Sequence, residues 1–251
     1  MSQESYDRYT AVILAAGRGS RISELVTHPK CLLPIAGETL LERNFKIWKN
    51  LKIKKVHLVL GYEKDQILAV CKKYDDDFDF TFYFNDDYVR QGNTFSLHLG
   101  IKDINGPSLI FDADLAYEEH ILRNFLENGE KSELLVGEGS LADIESTKTL
   151  VDELGIIRKT VEKRAVTNEE LAEFSFVGEA TGILKFSTED TIKLSDNAAH
   201  FLKDQEKLHL NWEHLLNEFF QQAEVGSFYF NEGKWIEIDT PEDYQEAQSL
   251  F

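Results

Sequence analysis

The sequence predicts an α/β fold: a Rossmann-like, doubly wound, mixed but mostly parallel sheet with a small inserted cap region. Three observations carry that expectation. Apolar runs of strand length alternate with helix-period segments up to Phe111, which is the signature of βαβ units and a parallel sheet. Beyond Ala113 the rhythm changes to shorter extended runs, as insertions completing a mixed sheet would read. The chain has 251 residues, 42% of them hydrophobic, with only 15 Gly and 4 Pro, so it can build a substantial core and lacks a disordered composition.

In order, Ala11-Val12-Ile13-Leu14 is a buried-type strand that runs into a glycine-rich turn, and a helix follows over Leu40–Leu51. Val56 to Leu60, stopped by Gly61, is a second strand, with a helix from about Glu63 to Lys73. Thr81 to Phe84 is a third strand, Thr94 to about Ile104 a helix opened by Asn93 and Thr94 as caps, and Ser108 to Phe111 a fourth strand. Leu134-Leu135-Val136 reads as a strand, and Thr149 to Val161 as a hairpin turning through Asp152-Glu153-Leu154-Gly155. Phe174 to Phe186 is extended, Trp212 to Gln222 helical, and Ser227–Phe230 with Trp235–Ile238 a final pair of strands. The last helix starts at Thr240-Pro241-Glu242-Asp243, where Thr at the N-cap, Pro at the first helical position and Asp at the third form a strong start signal. With no linker rich in Pro, Gly or Ser and no internal repeat, the expectation is one domain over 1–251. Its two halves cover about 9–115 and about 116–251.

Lys and Arg number 27 against 45 Asp and Glu, a formal charge of −18. Polyanions and anionic lipid heads are bound by surplus basic residues, so a nucleic-acid or membrane partner is not expected. The cluster Asp75, Asp76, Asp77 and Asp79 reads as a solvated loop. The stretch Met1 to Arg8 is polar and unlike a secretory signal, and Cys31 and Cys71 have no metal-type spacing. A cytoplasmic chain with two free thiols is the expectation.

The glycine-rich turn Leu14-Ala15-Ala16-Gly17-Arg18-Gly19-Ser20-Arg21 leads on to Pro29-Lys30-Cys31-Leu32-Leu33-Pro34. A strand entering Gly-x-Gly presents backbone N–H groups that can approach a phosphate, and Arg18, Arg21 and Lys30 gather positive charge in an acidic chain. The third glycine of a dinucleotide fingerprint falls on Ile22, and no Gly-Lys-Ser/Thr follows for a Walker loop. The pattern from Ala11 to about Phe45 resembles the signature of nucleotidyltransferases that join a nucleoside triphosphate to a sugar 1-phosphate or an alcohol phosphate, closest to the phosphocholine and aminoethylphosphonate cytidylyltransferases. The resemblance implies that Leu14, Ala15, Ala16, Gly17, Arg18, Gly19 and Ser20 wrap the triphosphate, that Arg21 holds its outer phosphates, and that Lys30 sits at the α-phosphate and the attacking oxygen. For Arg18, an exposed loop arginine is an equal alternative.

Asp112-Ala113-Asp114 ends the fourth strand, and Asp239 ends Trp235–Ile238. Ligands in open α/β sheets lie at such carboxyl ends. Taken alone, the two aspartates could equally cap a turn and a helix. The resemblance, renewed in Trp235-x-Glu237-Ile238-Asp239-Thr240-Pro241, implies that Asp114 and Asp239 hold Mg²⁺, with Asp112 and Glu237 beside them.

Gly92, Asn93 and Thr94 open a helix, and the resemblance places them around the nucleobase. Asn93 with the Ser96-Leu97 pair looks more like the CTP-using members than the UTP or dTTP ones. The resemblance places Glu179, Thr181 and Gly182 beside the acceptor. Trp212-Glu213 is similar to a tryptophan–acid pair that would suit an ammonium head, yet Trp212, Leu215, Leu216 and Phe219 also form a core-type stripe. Both readings stand.

These features imply a Mg²⁺-dependent cytidylyltransferase that transfers CMP from CTP to a small phosphorylated or phosphonylated alcohol in cell-surface polysaccharide or lipid precursor synthesis. A homodimer is compatible with them. The alternatives are a sugar-1-phosphate nucleotidyltransferase and a nucleotide-binding regulatory subunit without turnover. The joint presence of Arg21, Lys30, Asp114 and Asp239 argues against the last.

Overall fold

The computed structural model describes residues 5–19, 21–22 and 28–251. Strand β1 (Thr10–Ala15) runs into the glycine-rich turn; a 3-10 turn at Lys30–Leu32 and the ribbon β2 (Pro34–Ile35) with β3 (Glu38–Thr39) lead to α1 (Leu40–Asn50). Then come β4 (Lys55–Leu60), α2 (Lys64–Cys71), β5 (Asp79–Phe84), α3 (Asn93–Ile101) and β6 (Ser108–Asp112). The second half holds β7 (Leu115–Tyr117), α4 (Glu119–Glu127), β8 (Glu133–Gly137), β9 (Lys148–Val151), β10 (Ile157–Val161), α5 (Asn168–Glu173) and β11 (Ser175–Phe186). It closes with α6 (Thr188–Phe201), α7 (Trp212–Phe219), β12 (Gly226–Tyr229), β13 (Trp235–Glu237) and α8 (Pro241–Leu250).

Strands β5, β4, β1 and β6 pair in parallel, in that order, and β11 adds antiparallel to β6. The first half thus supplies the parallel part of the expected mixed sheet, and the antiparallel part is added by the second half through β11. That strand carries β9 and then β10 at its N-terminal part, and β8 lies along it, with β12 parallel to β8. The two strands expected as a final pair do not pair with each other: β13 pairs antiparallel with β7.

Alternation along β1 explains the two packed faces. Ala11, Ile13 and Ala15 enter one core with Leu41, Phe45 and Trp48 of α1 and Phe125 of α4. Val12 and Leu14 enter the other with Leu97 and Ile101 of α3 and the apolar faces of α6 and α7. Successive strand residues face opposite sides, so a run apolar throughout must be covered on both.

Several elements differ from the sequence reading. The helix expected to Ile104 ends at Ile101. Its N-cap is Gly92, without a side-chain cap bond, because Asn93 and Thr94 bond elsewhere. Periodicity does not single out α6, whose buried positions Thr191, Leu194, Ala198 and Phe201 mix small and polar residues with large ones. The three-residue β7 is too short to carry a pattern. Asp79 lies in β5 rather than in a loop, and Asp77 pairs with Lys49. No helix among the described residues is long and apolar enough to cross a membrane.

Candidate active site

The carboxyl ends of β1 and β6 open into a cleft of about 850 Å³. Leu14, Ala15, Ala16, Gly17 and Gly19 line it along the turn after β1. Gly19 has φ +64°, and a Cβ there would lie 2.6 Å from Cγ of Lys30. A side chain is thus excluded by backbone conformation and by space together, and the lysine stem crosses the turn at that point. Its ammonium donates to Asp114 Oδ2 at 2.8 Å and to Asp239 Oδ1 at 2.5 Å. Burial disfavours the Lys30 charge, but the two carboxylates outweigh it and hold the pKa above the ordinary lysine value. Arg21 Nη2 reaches Asp239 Oδ2 at 2.7 Å.

The two aspartates are brought together by backbone pairing. β7 follows Asp114 directly, and its ladder with β13 ends at Leu115 and Glu237. The Ile238 N–H donates to the Asp114 carbonyl at 3.0 Å. On the far side, Asp243 Oδ2 accepts from the N–H groups of Asp239 and Thr240, while Thr240 Oγ1 accepts from the Asp243 N–H. The capping box that starts α8 therefore also fixes the backbone of Asp239.

Asp114, Glu237 and Asp239 each offer an oxygen, all within 4.8 Å of one another. Asp114 Oδ1 is buried and has no hydrogen-bond partner among the described residues. An orphaned oxygen within a three-carboxylate set has the donor chemistry that suits a hard cation such as Mg²⁺. Burial, followed by the Asp114 charge, pushes the carboxyls of Asp112 and Glu237 well above the usual range. Asp112 has room because Gly182 faces it: Gly182 has φ +74° where the β11 register shifts, and a Cβ there would lie 2.7 Å from Asp112 Oδ2. Gly182 does not itself line the cleft.

Gly92 and Asn93 line the cleft with Gln91. Thr94 does not; it is fully buried and donates to the Leu210 carbonyl at 2.8 Å. Glu179 and Glu213 line the opposite part. Thr181 is turned away, because on its strand the side chain is fully buried and the hydroxyl donates to the Leu135 carbonyl at 2.9 Å.

Of the two readings of Trp212, the core one describes its ring, which is 3% exposed and packed with Leu215, Leu216 and Phe219. Its Nε1–H still reaches the site, donating to Glu213 Oε1 at 3.0 Å, while Glu213 Oε2 is buried with no partner. Burial pushes the Glu213 carboxyl up to about 7, and likewise that of Glu179.

Of the expected group Arg18, Arg21 and Lys30, the last two meet on Asp239 and the first lies apart. Arg21 and Lys30 are neutralised by Asp114 and Asp239, and Arg18 is off the cleft, its guanidinium 5.7 Å from the centroid of the Tyr62 ring. Ser20 lies outside the described residues, as do the first four residues of the N-terminal stretch. Among the described residues lining the cleft, carboxylates far outnumber the basic groups Arg21, Lys30 and Lys163. The segment Asp143 to Thr147 and the pair Glu162-Lys163 also line it. Sequence reasoning gives no signal for these, since a polar loop that faces a cleft reads like one that faces solvent.

A family model described as the MobA-like NTP transferase domain matches residues 11–138. The bifunctional IPC transferase and DIPP synthase of Aquifex aeolicus is 26% identical over 250 residues, covering 96% of this chain and 51% of that protein. The choline-phosphate cytidylyltransferase of Streptococcus pneumoniae is 32% identical over 117 residues, covering 46% of this chain and 49% of that protein. The chain spans about half the length of these curated relatives. Among solved structures, the CTP:phosphocholine cytidylyltransferase from Streptococcus pneumoniae matches with a TM-score of 0.80 at 22% identity, over 97% of this chain and 99% of that one. The inositol-1-phosphate CTP transferase from T. maritima matches with a TM-score of 0.74 at 20% identity, over 98% and 97%. At these identities the structural likeness speaks for the fold.

Proposed function

The chain belongs to the MobA-like NTP transferase family, and from that premise we propose that it is a nucleotidyltransferase moving CMP from CTP onto a small phosphorylated or phosphonylated alcohol, with release of pyrophosphate. The observation that carries this reading is the Lys30 ammonium held between Asp114 and Asp239 at the carboxyl ends of the sheet. Residues of about 9–115 supply the nucleotide side and those of about 116–251 the acceptor side.

The reaction asks little covalent work of the protein, because the attacking oxygen is already anionic; two anions must be aligned and their charge offset. The backbone of Ala15 to Gly19 takes the triphosphate, and Arg21 its outer phosphates. Lys30 meets the α-phosphate and the incoming oxygen, leaving its carboxylate partners as it does so. Asp114 and Asp239, with Glu237, would hold Mg²⁺. When bound, the ion would supply charge neutralisation for the anionic reactants. Gly92 and Asn93 border the base.

A bare triphosphate entering so acidic a cleft meets repulsion unless cations accompany it, and an acceptor bearing its own positive group suits the same field. Glu179 and Glu213, the latter with a buried oxygen lacking a partner, are the groups that would receive such a head.

The test is pyrophosphate release from each of four nucleoside triphosphates against phosphocholine, aminoethylphosphonate and hexose 1-phosphates. CTP with a cationic acceptor is expected to be the productive pair, and Glu213→Gln to weaken that acceptor selectively. Exclusive use of UTP or dTTP overturns the cytidylyl reading, and a loss of activity in Glu213→Gln that is as large with hexose 1-phosphates as with the cationic acceptor overturns the cationic acceptor.

A further inference from the structure

We infer that Asn93 is a positioning residue for the acceptor side: from the start of α3 it caps α7 and so holds the carboxylate of Glu213 in place. The inference rests on the reading of Glu213 as an acceptor group.

Helix α7 begins without a cap of its own, since its N-cap residue Asn211 makes no side-chain cap bond. The missing acceptor comes from a residue 119 positions away: Asn93 Oδ1 accepts from the Trp212 N–H, the first amide of the helix, at 2.7 Å. Two more bonds make the joint rigid. The Gly92 N–H donates to the Leu208 carbonyl at 2.8 Å, and Thr94 Oγ1 donates to the Leu210 carbonyl at 2.8 Å. The fit is close enough that a Cβ on Gly92 would lie 2.1 Å from the Leu210 carbonyl oxygen. Gly-Asn-Thr thus serves as a docking surface for the 208–212 segment, and the side chains of Asn93 and Thr94 bond there rather than capping α3.

From that joint the path to the site is one residue long. The capped Trp212 donates its indole N–H to Glu213 Oε1 at 3.0 Å, and Oε2 is buried without a hydrogen-bond partner among the described residues. An initial helix amide left without an acceptor frays, and fraying here releases the tryptophan that aims the carboxylate. The same Asn93 lines the cleft on the nucleotide side, so one side chain joins the two halves.

The test compares Asn93→Ala with Asn93→Asp, which retains an accepting oxygen. In the ligand-free protein, amide exchange at Trp212 is expected to quicken about fivefold in Asn93→Ala, the loss expected of one cap, and its indole N–H resonance to move toward the solvent-exposed position. Asn93→Asp should keep both near native. In turnover, the acceptor KM should rise more than the triphosphate KM in Asn93→Ala and recover in Asn93→Asp. Exchange and indole resonance unchanged in Asn93→Ala overturn the cap. A rise confined to the triphosphate KM overturns the positioning role. Quickened exchange in Asn93→Ala with recovery in Asn93→Asp, together with no turnover of any acceptor by the unsubstituted protein, condemns the proposed reaction and leaves the placement of Glu213 standing.

Discussion

Lys30 is the residue on which the site turns. Its stem passes where Gly19 leaves no side chain, and its ammonium ends between two carboxylates from different strands. In the ligand-free chain it is a counter-ion; on the proposed reading it meets the charge developing at the α-phosphate. Lys30→Ala should therefore lower kcat by roughly 10²–10³-fold, the scale of losing one preorganised charge donor, while changing triphosphate affinity far less. Stopped-flow binding beside steady-state rates separates the two, and an unchanged kcat removes Lys30 from the chemistry. Much at this scale is legible in sequence. Arg21, Lys30, Asp114 and Asp239 all meet at the cleft. Thr181 and Thr94 show where the reading stops: a hydroxyl beside a glycine reads the same whether it faces a ligand or a buried carbonyl, and here both face carbonyls.

Among the elements, the start of α8 is the best forecast and has a second use. Thr240, Pro241 and Asp243 form the expected cap, and the same Asp243 carboxylate accepts from the Asp239 N–H. Stability and the site's geometry are thereby joined. Thr240→Ala should cost about 1 kcal/mol in urea unfolding, as lost N-caps do, and lower activity beyond that loss because Asp239 loosens. Thr240→Ser should retain both. Loss of stability with full activity separates the cap from the site. The ribbon of β7 and β13, which unites the carboxylates, leaves little trace in sequence, since three-residue strands have no periodicity and their pairing spans more than a hundred residues. Helix α7 was legible as an apolar stripe. Its cap was not, because the accepting oxygen belongs to Asn93 on the other half of the chain.

Over the whole molecule, the alternating first half announces its parallel sheet because each strand must be apolar on both faces. The second half is harder to read because β11 serves several neighbours and changes register at Gly182. Charge acts at this scale too. The −18 balance is not relieved by a free basic patch at the cleft. Among the described residues Arg21 and Lys30 are held by acids, and the lining is acidic. On the proposed reading such a cleft takes a triphosphate accompanied by cations and an acceptor that carries positive charge. The most direct check is phosphorus NMR of the protein with CTP, phosphocholine and Mg²⁺, because it reports which phosphorus is attacked. Attack at the α-phosphorus yields free pyrophosphate together with two mutually coupled phosphorus signals of a new diphosphate diester. Appearance of CDP with orthophosphate, or of no new coupled pair, would contradict nucleotidyl transfer in this cleft.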